Sequence, residues 1–580
     1  MMAIAKATTA AESRPGSNQP IWASDVMAET LRELGFPYVA LVPGASFAAL
    51  HDSLVNHLGN REPKILLCLH EEHAAFIGSG YAQVTGEPML IIVHTNVGLM
   101  HASMGIFDAW CGRQPMVVIG TTAFDSETRT PWIEWIHSSA DQAGMVRGFV
   151  KWDDEPHSPG AAVDSLRRAT LLARAEPPGP TLVTLDRGLQ EMRLAARPDK
   201  DSATRFQPPG PAEPASADVG RALDLISAAR KPVILAGRVS RSEDGWADRI
   251  RLAELLGAQV FTYNDDSAAF PIPHPHHAGR FGLRVPEACK TALRAADLIV
   301  ELNWVDFGNM LRQTWPDGDT PPIVSCSNDH LAHRGWNKDY FSFAPADVRL
   351  GASPERAIAA LLAGLDGRKP KPAFAPVPPL PKVAIPSSGP ITTRMLASVF
   401  YDVMDGETIC LAEIPIGWPA DLVRCAHPLD LLAGASGGDV GAGPGTAVGA
   451  ALALKHASSD RLPVATMGDG DYLMGVGALW VAAANQIPFL IVVANNRAYG
   501  NDVAAQERTA RLRGRPVENK WIGQAINDPP PDLAGLARDL GVEGAGPVTD
   551  IAELRPALKT ALARLKAGAG YVLDVVVTEG

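Results

Sequence analysis

Val464-Ala465-Thr466-Met467-Gly468-Asp469-Gly470-Asp471, followed after a small-residue stretch by Phe489-Leu490-Ile491-Val492-Val493-Ala494-Asn495-Asn496, is the part of this sequence that settles its architecture. Val464–Met467 reads as a strand that runs directly into Gly468-Asp469-Gly470. The segment from about Gly475 to Ala484 reads as a helix, and Phe489–Ala494 as a second strand. Apolar runs without period-two alternation belong to strands buried on both faces, so the unit is β-α-β with parallel strands. Glycines where such a strand meets a helix let backbone N–H groups approach an anion. Asp469 and the Asn495-Asn496 pair, at the ends of neighbouring strands, offer the oxygen ligands that Mg²⁺ shares with phosphate groups. A lone Gly-Asp-Gly is usually a tight turn; the asparagine pair at the next strand end is what gives it another meaning.

The same signal repeats outward. Lys64–Cys68, Met89–Val93, Met116–Ile119 and Thr181–Thr184 read as buried strands in the first third, Pro232–Leu235 and Leu298–Glu301 in the second. Thr408–Leu411 and Tyr571–Val577 join the two strands above in the last third. Two proline-rich stretches, residues 197–217 and 367–390, cannot be central strands or long helices and read as linkers. The expected fold is therefore α/β, with three doubly wound parallel-sheet domains over residues 21–196, 218–366 and 391–580, after a disordered tail over 1–20.

Composition narrows the function. The chain has 580 residues and a net charge of −12, with 46% hydrophobic and 20% charged residues, as in a folded globular protein. An acidic balance argues against a nucleic-acid partner. Six widely spaced cysteines form no CxxC pair, which fits a reducing cytoplasm rather than a disulfide framework. Tyr472–Asn496 lacks charge, but Asn485-Gln486 and Pro488 interrupt it, so no membrane span is expected.

Gly468-Asp469-Gly470, 24 further residues and then Asn495-Asn496 resemble the signature of thiamine-diphosphate-dependent enzymes. More narrowly, the chain resembles the decarboxylase and acetolactate-synthase superfamily. Ala478-Leu479-Trp480 with Gln486-Ile487-Pro488 is especially similar to benzoylformate decarboxylases. The resemblance implies thiamine diphosphate and Mg²⁺ as cofactors, with Asp469, Asn496 and the carbonyl of Ala498 holding the metal. Gly468, Gly470 and Asp471 would lie at the diphosphate, although Asp471 adds a negative charge there. It also asks for a glutamate nine residues before a Gly-Tyr-Ala; His70-Glu71 and Gly80-Tyr81-Ala82 select Glu71. Such a carboxylate sets the tautomer of the cofactor's aminopyrimidine, which then takes the thiazolium C2 proton. Gly437-Gly438-Asp439-Val440-Gly441, leading into a Gly- and Ala-rich helix up to Leu454, supplies Val440 as the wedge under the cofactor. The carbonyl of Gly438 would accept from the pyrimidine amine. Read without the resemblance, the segment is a Gly-rich helix start packed on a strand.

On the substrate side, His94 matches an active-site histidine of benzoylformate decarboxylases and His274 their second one. Ala45 stands where those enzymes carry a carboxylate-binding serine, and Ser46 follows one place later. Glu413–Gly417 lacks hydroxyl or amide side chains for the diphosphate. His73, His101, His276 and His277 read as surface or packing residues, and Trp132 and Trp135 as packing. The middle third shows no GxGxxG, so no second nucleotide is expected. The resemblance implies a carbon–carbon bond enzyme acting on a small 2-keto acid or aldehyde, as a homodimer or homotetramer with active sites at the subunit interface, where Glu71 acts on a cofactor whose diphosphate sits on the partner subunit. Within it, decarboxylation of an aromatic or branched 2-keto acid is the first expectation. A carboligase or lyase of the acetolactate synthase, benzaldehyde lyase or 2-hydroxyacyl-CoA lyase type is the alternative, because of Ala45. A catalytically silent subunit that keeps the fold is a third reading.

Overall fold

A computed structural model describes residues 20–123, 130–198, 201–202, 205–263, 267–282, 284–330, 343–372 and 382–578. The expected tail lies outside the described residues except for Pro20, as do Pro376, Pro378, Pro379 and Pro381 of the second linker. Three six-stranded sheets carry the fold. In spatial order the first is Lys64–Leu67, Tyr38–Leu41, Met89–Ile92, Met116–Thr122, Pro180–Asp186 and Asp153–Asp154. The second is His277–Phe281, Gln259–Tyr263, Pro232–Ala236, Leu298–Leu302, Ile323–Cys326 and Val348–Leu350. The third runs Ile391–Thr392, Gly570–Thr578, Phe489–Asn495, Leu462–Gly468 and Ile409–Leu411, with Glu543–Val548 also paired to Gly570–Thr578. Every pairing in the three sheets is parallel.

The second sheet shows why the strands read as unbroken apolar runs. Ile234, Val260, Leu298, Val300, Leu302 and Val324 fill one core. Their chain neighbours Val233, Leu235, Phe261, Ile299 and Ile323 fill a core on the opposite face. Successive side chains point to opposite faces, and helices cover both. At the centre of this sheet, Gly237 N–H donates to Leu302 O (3.0 Å) and Arg238 N–H to Asn303 O (3.0 Å). Backbone hydrogen bonds thus tie together the two strand ends where the strand order reverses.

The chain forms two compact units. One comprises residues up to Pro209 with Gly437–Ala453 and Gly477–Asn485; the other holds Gly210–Ser436, Leu454–Val476 and Gln486–Gly580. One sequence expectation changes here. The helix expected from about Gly475 to Ala484 is two helices, Asp469–Gly475 and Ala478–Asn485, so helix begins at Asp469 itself. The small-residue helix, Ala442–His456, packs on the helix Glu71–Thr85. A Cβ on Gly449 would lie 2.0 Å from Ile77 O, and one on Gly80 would lie 2.1 Å from Thr446 O. Only hydrogen at these positions lets the two backbones approach so closely. No helix among the described residues is long and apolar enough to cross a membrane, and none of the six cysteines is in a disulfide.

Candidate active site

In the first unit the helix Glu71–Thr85 starts at His70, whose ring Nδ1 accepts from Glu72 N–H (3.2 Å). This cap places Glu71 in the first turn, where a carboxylate suits the positive end of the helix. Glu71 is buried. Its Oε1 faces Gly98, where a Cβ would come within 3.1 Å. Its Oε2 accepts from His101 Nδ1 at 3.0 Å. Burial pushes the neighbouring Cys68 thiol up to about 12, so it stays protonated.

His94 sits just before the helix Thr95–Cys111, at the turn out of the strand Met89–Ile92. Thr95 takes a left-handed φ of 42°, held by its N–H donating to Thr121 Oγ1 (3.1 Å). A non-glycine residue there costs about 1–3 kcal/mol, which the surrounding contacts offset. The His94 ring is fixed at both nitrogens: Nδ1 pairs with Ser46 Oγ at 2.7 Å and Nε2 with His137 Nδ1 at 3.3 Å. Ser46 also hydrogen-bonds Thr121. Burial lowers the His94 pKa, and His137 adds to that, while Glu71 opposes it. His94 is therefore held neutral near pH 7. Beside His137, Trp132 is 70% and Trp135 63% exposed, so the expectation that they pack is corrected. The short helix Ile133–Ile136 buries no side chain, and Asn96 Nδ2 donates to Ile136 O (3.1 Å).

The turn that carries Gly438 and Val440 is pinned in the same unit: Gly437 N–H donates to Asp108 Oδ1 (2.6 Å). Asp108 is fully buried and also accepts from Ser79 Oγ (3.5 Å). Gly438 has φ 73°, and nothing lies within 4 Å of where its Cβ would be.

The second unit brings Asp469, Asn496 and Ala498 together. The Ala498 N–H lies 3.1 Å from Asn496 Oδ1 and also bonds the Asp469 carboxylate. Asp469 is 2% exposed, and burial pushes it up to about 6, with Asp574 adding to the rise. Asn495 and Asn496 part company. Asn495 is buried, donating from Nδ2 to Asp574 Oδ1 (3.0 Å) and accepting from Arg497 N–H (3.1 Å), whereas Asn496 is exposed. Arg497, at φ 58°, makes the tight turn that follows Asn496. Space beyond Gly468 is open, and Gly470 is covered by the Tyr499 ring. Asp471 is half-buried in the first turn of the helix that begins at Asp469. Among the described residues no three His, Cys, Asp or Glu side chains cluster as a metal site. The candidate donors are one carboxylate, one amide and one backbone carbonyl.

His274 also lies in the second unit. Its Nε2 is 3.4 Å from Glu254 Oε1, and its Nδ1 accepts from His276 N–H (3.2 Å), so both ring nitrogens have local partners. His276 and His277 are packing residues: His276 Nδ1 bonds Ala258 O (2.8 Å), and burial pushes His277 down to about 4.

Sequence reasoning missed His101, His137 and Asp108 as partners of these side chains. A signal for two of them was present. His94, His101 and Asp108 recur every seven residues, two helical turns apart, on one face of the helix Thr95–Cys111. They meet Ser46, Glu71 and Gly437 in turn.

Three sequence profiles match the chain. The "Thiamine pyrophosphate enzyme, N-terminal TPP binding domain" covers residues 21–145, the central domain of the same family 219–337, and its C-terminal TPP binding domain 416–575. The chain is similar to "Acetolactate synthase 3, chloroplastic" of Brassica napus, 24% identical over 97% of this chain and 85% of that one. Its fold is similar to a putative thiamin diphosphate-dependent enzyme from Mycobacterium smegmatis, with TM-score 0.79, 23% identity, and coverage of 97% of this chain and 100% of that one. The thiamine diphosphate-dependent 4-hydroxybenzoylformate decarboxylase of Rhodococcus jostii RHA1 gives TM-score 0.78 at 22% identity, over 97% of this chain and 100% of that one. With all three domains matched along their parallel sheets, this chain belongs to the thiamine pyrophosphate enzyme family, in the superfamily of the decarboxylases and acetolactate synthases.

Proposed function

We propose that the chain is a thiamine-diphosphate- and Mg²⁺-dependent enzyme that removes CO₂ from an aromatic or branched 2-keto acid. The observation that carries the substrate side is the Ser46–His94 pair at 2.7 Å, with His94 held neutral. Ser46 restores, one position along, the hydroxyl that Ala45 lacks, and it does so against the histidine. Exposed Trp132 and Trp135 beside His137 offer an apolar face that suits an aromatic side chain.

The residues present fit the cofactors. A buried carboxylate beside an amide and a backbone carbonyl makes an oxygen-only donor set, which suits Mg²⁺. Asp469, Asn496 and the Ala498 carbonyl would hold the metal; Gly468, Gly470 and Asp471 would line the diphosphate. Gly438 and Val440 would hold the aminopyrimidine, and Glu71 would act on the ring of a cofactor whose diphosphate sits on the partner subunit. When bound, thiamine diphosphate supplies the electron sink that the broken bond requires. Ser46 would orient the substrate carboxylate. His94 would exchange a proton with the substrate at Nε2, whose contact to His137 (3.3 Å) is longer than that of Nδ1 to Ser46 (2.7 Å). His274, with both nitrogens partnered, would shape the site from the central domain. A homodimer or homotetramer is the assembly in which we place this chemistry.

Incubation with benzoylformate, thiamine diphosphate and Mg²⁺ tests the proposal: CO₂ release with an aldehyde product supports it. Benzoin cleavage without any keto-acid decarboxylation would instead favour the lyase or carboligase reading, to which Ala45 points. Failure to bind thiamine diphosphate in a calorimetric titration would indicate a silent subunit. Glu71→Gln should lower turnover by about two to four orders of magnitude, the usual contribution of a positioned acid–base group.

A further inference from the structure

We infer that His101 is a positioning residue for the Glu71 carboxylate, an inference that rests on the proposed role of Glu71. Its Nδ1 donates to Oε2 at 3.0 Å, while Oε1 lies on the Gly98 side. The two oxygens therefore have separate tasks: Oε2 is anchored to protein and Oε1 is left for the cofactor ring. The anchor is itself oriented. His101 stacks on His70 with ring centroids 4.8 Å apart and planes 20° apart. His70 is fixed by the N–H of Glu72, and its ring lies 5.4 Å from that of His73. Glu72 Oε2 is 4.0 Å from His70 Nδ1, which adds a second acid to the row. Glu71 is thus the buried end of a line of imidazoles that reaches solvent, since the His101 side chain is 49% exposed. Hydrogen bonds to a carboxylate are about twice as strong as neutral ones and fix its orientation as well as its charge. A carboxylate aimed by His101 keeps Oε1 still during proton exchange with the ring; released, it samples other rotamers.

The test reads the exchange of the C2 proton of bound thiamine diphosphate for deuterium, by quenched proton NMR on the full chain with Mg²⁺. His101→Ala should slow exchange about tenfold while leaving thiamine diphosphate affinity and helix content unchanged. His101→Gln, which keeps a donor, should recover much of the rate, and added imidazole should rescue the alanine variant because the position is open to solvent. In a Glu71→Gln background, His101→Ala should have no further effect. A wild-type exchange rate for His101→Ala, with Glu71→Gln slowed, overturns the inference and leaves Glu71 in place. Wild-type exchange in Glu71→Gln, or no binding of thiamine diphosphate at all, removes the Glu71 reading and this inference with it. Equal slowing in the alanine and glutamine variants without imidazole rescue would also overturn it.

Discussion

Replacing Gly449 with alanine should destabilise the first unit, and the size of the effect follows from one contact. The new Cβ would sit 2.0 Å from Ile77 O and 2.8 Å from Ile77 C, where ordinary contact begins near 3.4 Å. The Ala442–His456 and Glu71–Thr85 helices must therefore separate by about 1.4 Å, and neither side of the clash is a side chain that can turn away. Overpacking of this kind costs about 1–3 kcal/mol, and a backbone obstacle places it at the upper end. Alanine returns about 1 kcal/mol of helix propensity, which leaves a net loss of about 2 kcal/mol. Gly78→Ala, on the Glu71–Thr85 helix, is the control. Its Cβ would meet only Ile91 Cδ1 at 3.1 Å and Met116 Cε at 3.3 Å, both ends of flexible chains. It should be neutral or slightly stabilising. Amide hydrogen exchange across residues 71–85, read by mass spectrometry, reports the local opening free energy for each variant. Because Glu71 is on the helix that must move, Gly449→Ala should also lower turnover, and Gly78→Ala should not. Equal protection in the two variants, or greater protection in Gly449→Ala, would refute the reasoning.

Three further outcomes are expected. Burial raises Glu301 from 4.5 to about 7, so its contribution to stability is complete below about pH 4.5 and is lost as pH rises through 7; the gap is equivalent to about 3 kcal/mol. Calorimetry should find Glu301→Gln more stable than the parent near pH 8.5 but not near pH 5, and an advantage independent of pH would exclude this account. His137→Ala removes a group that lowers the His94 pKa, so His94 should protonate at higher pH and the acid limb of kcat should move upward; an unmoved limb would show that His94 is not the titrating group. Asp108→Ala strands the Gly437 N–H, costing about 1–3 kcal/mol, and thiamine diphosphate affinity measured by calorimetry should fall by about tenfold or more; unchanged affinity would mean that the Gly438–Val440 turn holds its shape without this anchor.

The strands that carry the site were legible because a parallel strand covered on both faces leaves a mark that depends only on its own residues. Leu462–Gly468 and Phe489–Asn495 extend the expected strands by two residues or fewer at each end. Shorter or more polar strands gave no such mark. His277–Phe281 lies at a sheet edge with little burial, and Val348–Leu350 has three residues. The break at Val476-Gly477 was hidden inside a run of small apolar residues with a helical composition.

Chain order alone determined that three parallel α/β sheets would form, that Asp469 and Asn496 would stand at neighbouring strand ends, and that Glu71 would open a helix. Each of these is set by local periodicity and by one β-α-β connection. Only the tertiary structure decided which side chains serve the candidates. Ser46 meets His94 across 48 positions and His101 meets Glu71 across 30, while Asp108 reaches Gly437 across 329. It also separated Asn495 from Asn496, because the turn at Arg497 buries one amide against Asp574 and leaves the other exposed. Hydrogen bonds between residues distant in the chain depend on how helices and strands pack, and packing is settled by the summed fit of many surfaces rather than by any one stretch of sequence.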